Sequence, residues 1–170
     1  MHWADEAACT ATAQALAPRP ALREAFIELH GTLGSGKTTF VRHLLQALGV
    51  QGRIKSPTYA VMESYELPGL PIWHFDFYRF KDPQEFEDAG FRDVFASSGL
   101  KLAEWPEQAA GLLPEPDLRM ELTPLDGDQR RVIFEACTPR GLELLPDAGP
   151  PQVGRSPSGA GAKRLGGELS

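Results

Sequence analysis

Gly31, Gly36, Lys37 and Thr38 stand in the stretch GTLGSGKTTF at the spacing G-x-x-x-x-G-K-[ST]. That pattern suits a bound triphosphate. Backbone N–H groups from Leu33, Gly34, Ser35 and Gly36 can curl around the phosphates, Lys37 neutralises the β and γ oxygens, and the Thr38 hydroxyl ligates Mg²⁺. Such a loop needs a helix behind it, whose unsatisfied N–H groups and macrodipole favour negative charge. The chain provides one. Ala25 to His30 reads as a short apolar strand entering the loop; Phe40, Val41, Leu44, Leu45 and Leu48 then recur at helical spacing, and Gly49 is placed to cap the helix.

Holding phosphates is only part of a hydrolytic site, which also needs groups to complete a metal shell, sense the γ-phosphate and position water. Glu104 ends the apolar run Leu100-Lys101-Leu102-Ala103-Glu104, at the carboxyl end of a predicted strand, where open α/β sheets place their ligands. With Thr38 it would complete a Mg²⁺ shell, directly or through water. Asp76 lies in His74-Phe75-Asp76-Phe77-Tyr78-Arg79, a carboxylate among aromatic residues that is costly to bury unless a metal, hydrogen bonds or Arg79 compensate it. Alternation alone equally permits a strand with one wet face, on which His74 and Asp76 both point outward. Ser56-Pro57-Thr58-Tyr59 follows the lysine by about twenty residues, where P-loop GTPases carry a threonine that reports on the γ-phosphate. Taken alone it reads better as a turn into a strand.

These groups need elements to hold them. Residues 5–17 favour a helix with Ala7, Ala8, Ala11, Ala15 and Leu16 along one side, ended by Pro18 and Pro20. Beyond Gly49, β-branched and aromatic residues on both sides of Leu67-Pro68-Gly69-Leu70-Pro71 predict strands at 60–67 and 71–78, antiparallel because the connection is too short for a crossover. Asp82-Pro83 opens a helix that runs on to Gly90. A short helix is expected from Glu107 to Leu113, and strands 118–123 and 130–136 flank Pro124 to Asp128 as a hairpin. From Pro146 the chain is dominated by Gly, Pro and Ser, a composition that buries too little surface to offset the entropy of ordering. The expected organisation is an α/β P-loop NTPase domain over 1–145, its mixed central sheet flanked by helices, followed by a disordered tail over 146–170.

Composition narrows the function. The 170 residues carry 17 basic and 23 acidic side chains, a net charge of −6, with no basic cluster in the body of the chain. Autonomous binding to nucleic acid, which runs on phosphate neutralisation by basic patches, is therefore not expected. Cys9 and Cys137 suit neither a disulfide framework nor a zinc site and read as small, partly buried apolar residues. No basic residue precedes Arg19, and no apolar run approaches the roughly 18 residues of a membrane span. The expectation is a soluble, cytoplasmic protein with no membrane partner.

The order G-x-x-G-x-G-K-T-T-F, K-S-P-T-Y, H-F-D-x-Y-R, then a strand ending E-W-P with G-L-L-P after it, resembles the TsaE (YjeE) family of bacterial tRNA-modification ATPases over residues 5 to 136. The resemblance implies Mg²⁺-dependent ATP hydrolysis, with ATP or ADP as the bound nucleotide. It also implies an accessory role in making N6-threonylcarbamoyladenosine at position 37 of tRNAs that read ANN codons. The implied partners are TsaB and TsaD, with tRNA met only through their complex. Carried onto this chain, Lys37 and Thr38 match the phosphate and metal residues and Glu104 the second metal ligand. Asp76 matches an aspartate that is a candidate to position the attacking water, and Thr39 and Thr58 match hydroxyls near the phosphates. Lys37, Asp76 and Glu104 are thus the expected catalytic residues.

Two departures from the family pattern stand out. Thr32 stands where the family usually has an acid, and a hydroxyl carries no charge. Cys9 and Ala13 stand where the N-terminal helix usually offers a threonine and a glycine, which leaves Thr10 as the neighbouring hydroxyl for the nucleotide. Arg130-Arg131 lies where a late arginine could approach the base or ribose, or simply meet solvent. An alternative function is a small-molecule kinase, but such enzymes clamp phosphates with several lid arginines, and between Lys81 and Leu118 only Arg92 and Lys101 are basic. A GTPase-like switch would select guanine through Asn-Lys-x-Asp, and the chain contains no asparagine.

Overall fold

In a computed structural model of the chain, residues 1–57 and 59–147 are described. Thr58 and the expected tail from 148 onward lie outside them. After a short strand β1 (His2–Trp3), helix α1 (Glu6–Leu16) begins at Asp5, whose side chain accepts the Ala8 N–H at 3.0 Å. Strand β2 (Phe26–His30) runs into the glycine-rich loop, and α2 (Lys37–Leu48) leaves it to end at Gly49, whose φ of 108° is the left-handed cap that glycine adopts without strain. The hairpin β3 (Met62–Leu67) and β4 (Leu70–Asp76) follows, then α3 (Pro83–Asp88), α4 (Phe91–Ala96), β5 (Leu100–Glu104), the hairpin β6 (Leu118–Pro124) and β7 (Arg130–Ala136), and the short α5 (Pro139–Leu142).

The strands form one seven-stranded sheet in the order β1-β7-β6-β2-β5-β4-β3. Its centre, β6-β2-β5-β4, is parallel, and its margins are antiparallel. The expected mixed sheet and its two hairpins are therefore present. Among the described residues no helix is long and apolar enough to cross a membrane.

Alternation along the central strands sorts their side chains between two cores. Ile27 and Leu29 of β2, Leu70 and Ile72 of β4, and Leu100 and Leu102 of β5 pack with Phe40, Val41, Leu44 and Leu45 of α2. Further along β4 and β5, the same face carries His74 and then Asp76 on β4 and Glu104 on β5. The opposite face carries Phe26, Trp73, Phe75 and Ala103 against Phe86, Phe91 and Phe95 of α3 and α4. Phe75 is the hub there, edge-on to Phe91 at 5.2 Å and stacked on Phe95 at 4.7 Å between ring centroids. One period-2 pattern thus ends in apolar packing on one side and in a row of polar groups beside α2 on the other.

Several elements differ from the sequence expectation. The helix expected from Glu107 to Leu113 is only a 3-10 turn, Pro106–Ala109, because Ala110 turns extended and Gly111 takes a φ of 84°. The segment that follows Gly90 is a second helix, α4, which buries Phe91 at its start. Strand β1 is too short to show a period; it exists because His2 and Trp3 pair with Arg131 and Arg130. A wet face carrying both His74 and Asp76 is also not observed: His74 is fully buried and Asp76 half-buried.

Asp117 ties the sheet to the end of the described chain. Its buried carboxylate accepts the Phe26 N–H at 2.8 Å and the Thr138 hydroxyl at 2.6 Å, with Arg140 at 3.7 Å. Replacing it with alanine strands a buried backbone donor at the start of β2. Asp117→Ala is expected to lower stability by about 2–3 kcal/mol in urea unfolding; an unchanged midpoint would show that water satisfies Phe26 equally well.

Candidate functional site: a phosphate loop facing two strand-end carboxylates

The loop from Gly31 to Gly36 joins the carboxyl end of β2 to the N-terminus of α2, as its spacing predicts. Gly31 has a φ of 149°, and a Cβ built on it would lie 2.6 Å from the Leu122 carbonyl oxygen. Gly36 has a φ of 104° as the residue before α2. Both positions therefore require glycine, one for room and both for backbone angle. Ser35 is fully buried, and Thr32 closes the turn by accepting the Ser35 N–H at 3.0 Å. Leu33 is exposed at the tip.

Lys37 folds back into this loop. Its ammonium donates to the Gly31 carbonyl at 2.6 Å and the Thr32 carbonyl at 3.0 Å, and it lies 4.2 Å from the centroid of the Trp105 ring. Burial pushes its pKa below the ordinary lysine value, while the carboxylates of Glu104, Glu107 and Asp76 pull it back up. A partly desolvated cation held by carbonyls and an aromatic face is a strong attractor for phosphate. Thr32 contributes through its carbonyl, and its side chain is exposed.

Across the loop stand the strand ends. Thr38 donates its hydroxyl to Glu104 Oε1 at 2.7 Å, and His74 Nε2 lies 2.6 Å from Glu104 Oε2. Asp76 is opposite Glu104 in the β4-β5 register; it accepts from the Ser56 hydroxyl and, at 3.0 Å, from the Tyr78 N–H. Arg79 does not compensate it: its guanidinium lies 5.0 Å from the Tyr59 ring centroid. Among the described residues no group of three or more His, Cys, Asp and Glu is arranged to hold a metal. Thr38 and Glu104 instead offer one hydroxyl and one carboxylate, the donor set of a hard cation that completes its shell with substrate oxygens and water.

Beside the N-terminus of α2 is a cleft of about 220 Å³, lined by Trp3, Cys9, Gly36, Thr39, Asp128 and Arg130. Thr39 is thus brought to the site. Thr10 is not; its hydroxyl donates to the Glu6 carbonyl at 3.0 Å, and the helix turns Cys9 inward instead. Burial, with the Glu6 carboxylate nearby, pushes the Cys9 thiol up to about 12. Cys9 therefore meets a ligand as a neutral, weakly polar group.

Two further side chains complete the site: Arg130, read from sequence as near the base or ribose or else solvated, and Trp105, which sequence did not single out. Arg130 reaches across from β7 and donates Nε to the Ser35 carbonyl at 3.0 Å, bracing the loop from outside. Trp105 covers Lys37 because its backbone takes a φ of 54°, rare for a non-glycine residue. The dipeptide Trp105-Pro106 directly after the strand-end acid was the available signal, and it reads as a turn until the register is known.

Comparison with known proteins agrees with this geometry. Residues 3–133 match the family described as "Threonylcarbamoyl adenosine biosynthesis protein TsaE". The chain is 43% identical to the tRNA threonylcarbamoyladenosine biosynthesis protein TsaE of Haemophilus influenzae over 119 residues, covering 70% of this chain and 75% of that one. It is 34% identical to the Bacillus subtilis protein of the same name over 119 residues, 70% and 73% of the two chains. The crystal structure of Bacillus subtilis YdiB superposes with a TM-score of 0.67 at 27% identity, covering 85% of this chain and 88% of that one. With a phosphate loop, a mixed sheet and this match across most of its length, the chain belongs to the TsaE family of threonylcarbamoyladenosine biosynthesis proteins and has its P-loop nucleotide-binding fold.

Proposed function

We propose that this protein is a Mg²⁺-dependent ATPase that serves, with TsaB and TsaD in the cytoplasm, the formation of N6-threonylcarbamoyladenosine at position 37 of tRNAs reading ANN codons. The observation that carries the proposal is the contact of Thr38 with Glu104, at 2.7 Å, beside a Lys37 already turned into the phosphate loop. A nucleotide-binding loop alone would need only Lys37; a buried carboxylate on the Thr38 hydroxyl is what metal-assisted phosphate chemistry requires.

Lys37 and the loop N–H groups from Leu33 to Gly36 hold the phosphates, where the α2 dipole and the ammonium favour negative charge. Thr38 and Glu104 would hold Mg²⁺. When bound, that ion neutralises phosphate oxygens as charge develops on them. Asp76 orients the attacking water. Each of its oxygens already accepts one hydrogen bond, from Ser56 or Tyr78, which fixes the carboxylate and leaves a further lone pair on each for water. Thr39 and the cleft beside Cys9 take the sugar and base side. Thr58 remains a proposed contact to the phosphates.

A lid-type kinase fits less well. Of the two basic residues between Lys81 and Leu118, Arg92 is paired with Glu87, and the Lys101 ammonium donates to the Ser97 carbonyl. The acidic balance of the chain, net −6, supports contact with tRNA through partner proteins rather than directly.

Asp76→Asn is expected to keep ATP binding in calorimetry while hydrolysis falls about 100-fold or more, the usual scale for loss of a group that manages the reacting water. Equal turnover would remove Asp76 from the chemistry. Association with the TsaB–TsaD pair in a pull-down is expected to depend on whether ADP, ATP or a non-hydrolysable analogue is present, and to lose that dependence in Glu104→Ala. In a reconstituted system, tRNA modification through repeated turnovers is expected to require this protein; full turnover without it would defeat the assignment.

A further inference from the structure

We propose that His74 is a positioning residue for the Glu104 carboxylate, fixing which of its oxygens faces Thr38 and the phosphate loop; this rests on the magnesium-nucleotide reading of the site. His74 follows Leu70 and Ile72 on the same face of β4, where a third apolar residue would continue the core. Instead it is a fully buried imidazole with Nε2 2.6 Å from Glu104 Oε2, and among the described residues its Nδ1 has no hydrogen-bond partner.

The orphan nitrogen is informative. An ionised carboxylate only accepts hydrogen bonds, so Nε2 must carry a proton and donate it to Oε2. Buried polar atoms in folded proteins are nearly always satisfied, and one that is not calls for an explanation. A histidine retained for packing alone gains nothing from that nitrogen. Among the described residues its hydrogen-bond partner is the Glu104 carboxylate.

The consequence is a division of labour between two oxygens. Oε2 is held by His74 and Oε1 accepts from Thr38 at 2.7 Å, so the carboxylate cannot rotate without breaking both bonds. The side chains of His74 and Glu104 are 0% and 3% exposed, leaving no solvent to replace the bond between them. His74 never reaches the phosphates; it acts through Glu104, as hydrogen-bonded partners of metal ligands do elsewhere.

The test is calorimetric titration of ADP at graded Mg²⁺ concentrations for wild type, His74→Gln, His74→Asn and His74→Leu. Glutamine places its amide nitrogen near the position of Nε2, whereas asparagine reaches only that of Nδ1. His74→Gln is expected to retain the Mg²⁺ enhancement of ADP affinity, and the Asn and Leu variants to lose about tenfold or more of it. ADP affinity without metal should stay unchanged in all. Should the Leu variant fail to fold, Gln against Asn carries the comparison. Wild-type enhancement in both Gln and Asn variants overturns the proposal, and so does equal loss in both, which would mean that ring shape matters and the hydrogen bond does not. Absence of any Mg²⁺ enhancement in wild type would instead overturn the magnesium reading, and this proposal with it. In metal-free wild type, nitrogen–proton correlation spectra of the ring should show a proton on His74 Nε2; an unprotonated Nε2 contradicts the assignment.

Discussion

A buried carboxylate at the end of β5 is the constraint around which this molecule is arranged. Glu104 is 2% exposed, and an ionised carboxylate that deep carries a penalty of several kcal/mol unless its lone pairs are occupied and a cation is near. Two elements meet that requirement together. Helix α2 supplies the Thr38 hydroxyl and the Lys37 ammonium, whose pKa the Glu104 charge raises against the opposing effect of burial, and β4 supplies His74. The relative placement of β5, β4 and α2 is thus specified by a polar contact as well as by the apolar core beneath it.

That core explains why the contact is possible. Leu100 and Leu102, Leu70 and Ile72, and Ile27 and Leu29 pack under α2 in successive layers, and the polar groups begin where the strands run out from beneath the helix. The aromatic cluster on the other face, centred on Phe75, holds β4 against β5 from behind. Parallel register then brings Asp76 level with Glu104. The site is a continuation of core packing by one more step of the strand period, with polar side chains in place of apolar ones.

This explains what could be read in advance. The loop and α2 were legible because their signal is local: glycines at fixed offsets, then a helical apolar stripe. Glu104 was legible as an acid ending an apolar run. His74 was not, since its role depends on which face of β4 turns toward α2, and alternation alone leaves the two faces equivalent. Thr10 failed by a single helical step of about 100°, which sends its hydroxyl back to Glu6 and turns Cys9 inward. Arg130 arrives through a pairing that spans most of the chain, β6 against β2 and β7 against β6. Trp105 depends on a left-handed backbone that no residue preference announces.

The central claim is that Thr38 and Glu104 act as one unit in holding a magnesium nucleotide. A double-mutant cycle on Mg²⁺-dependent ADP affinity, using Thr38→Val, Glu104→Gln and the pair, measures that directly. The account predicts strong non-additivity, with the second substitution costing little once the first is made and a coupling of about 1–3 kcal/mol. Additive losses would contradict it, placing the two residues in separate roles and removing the contact on which the functional assignment rests.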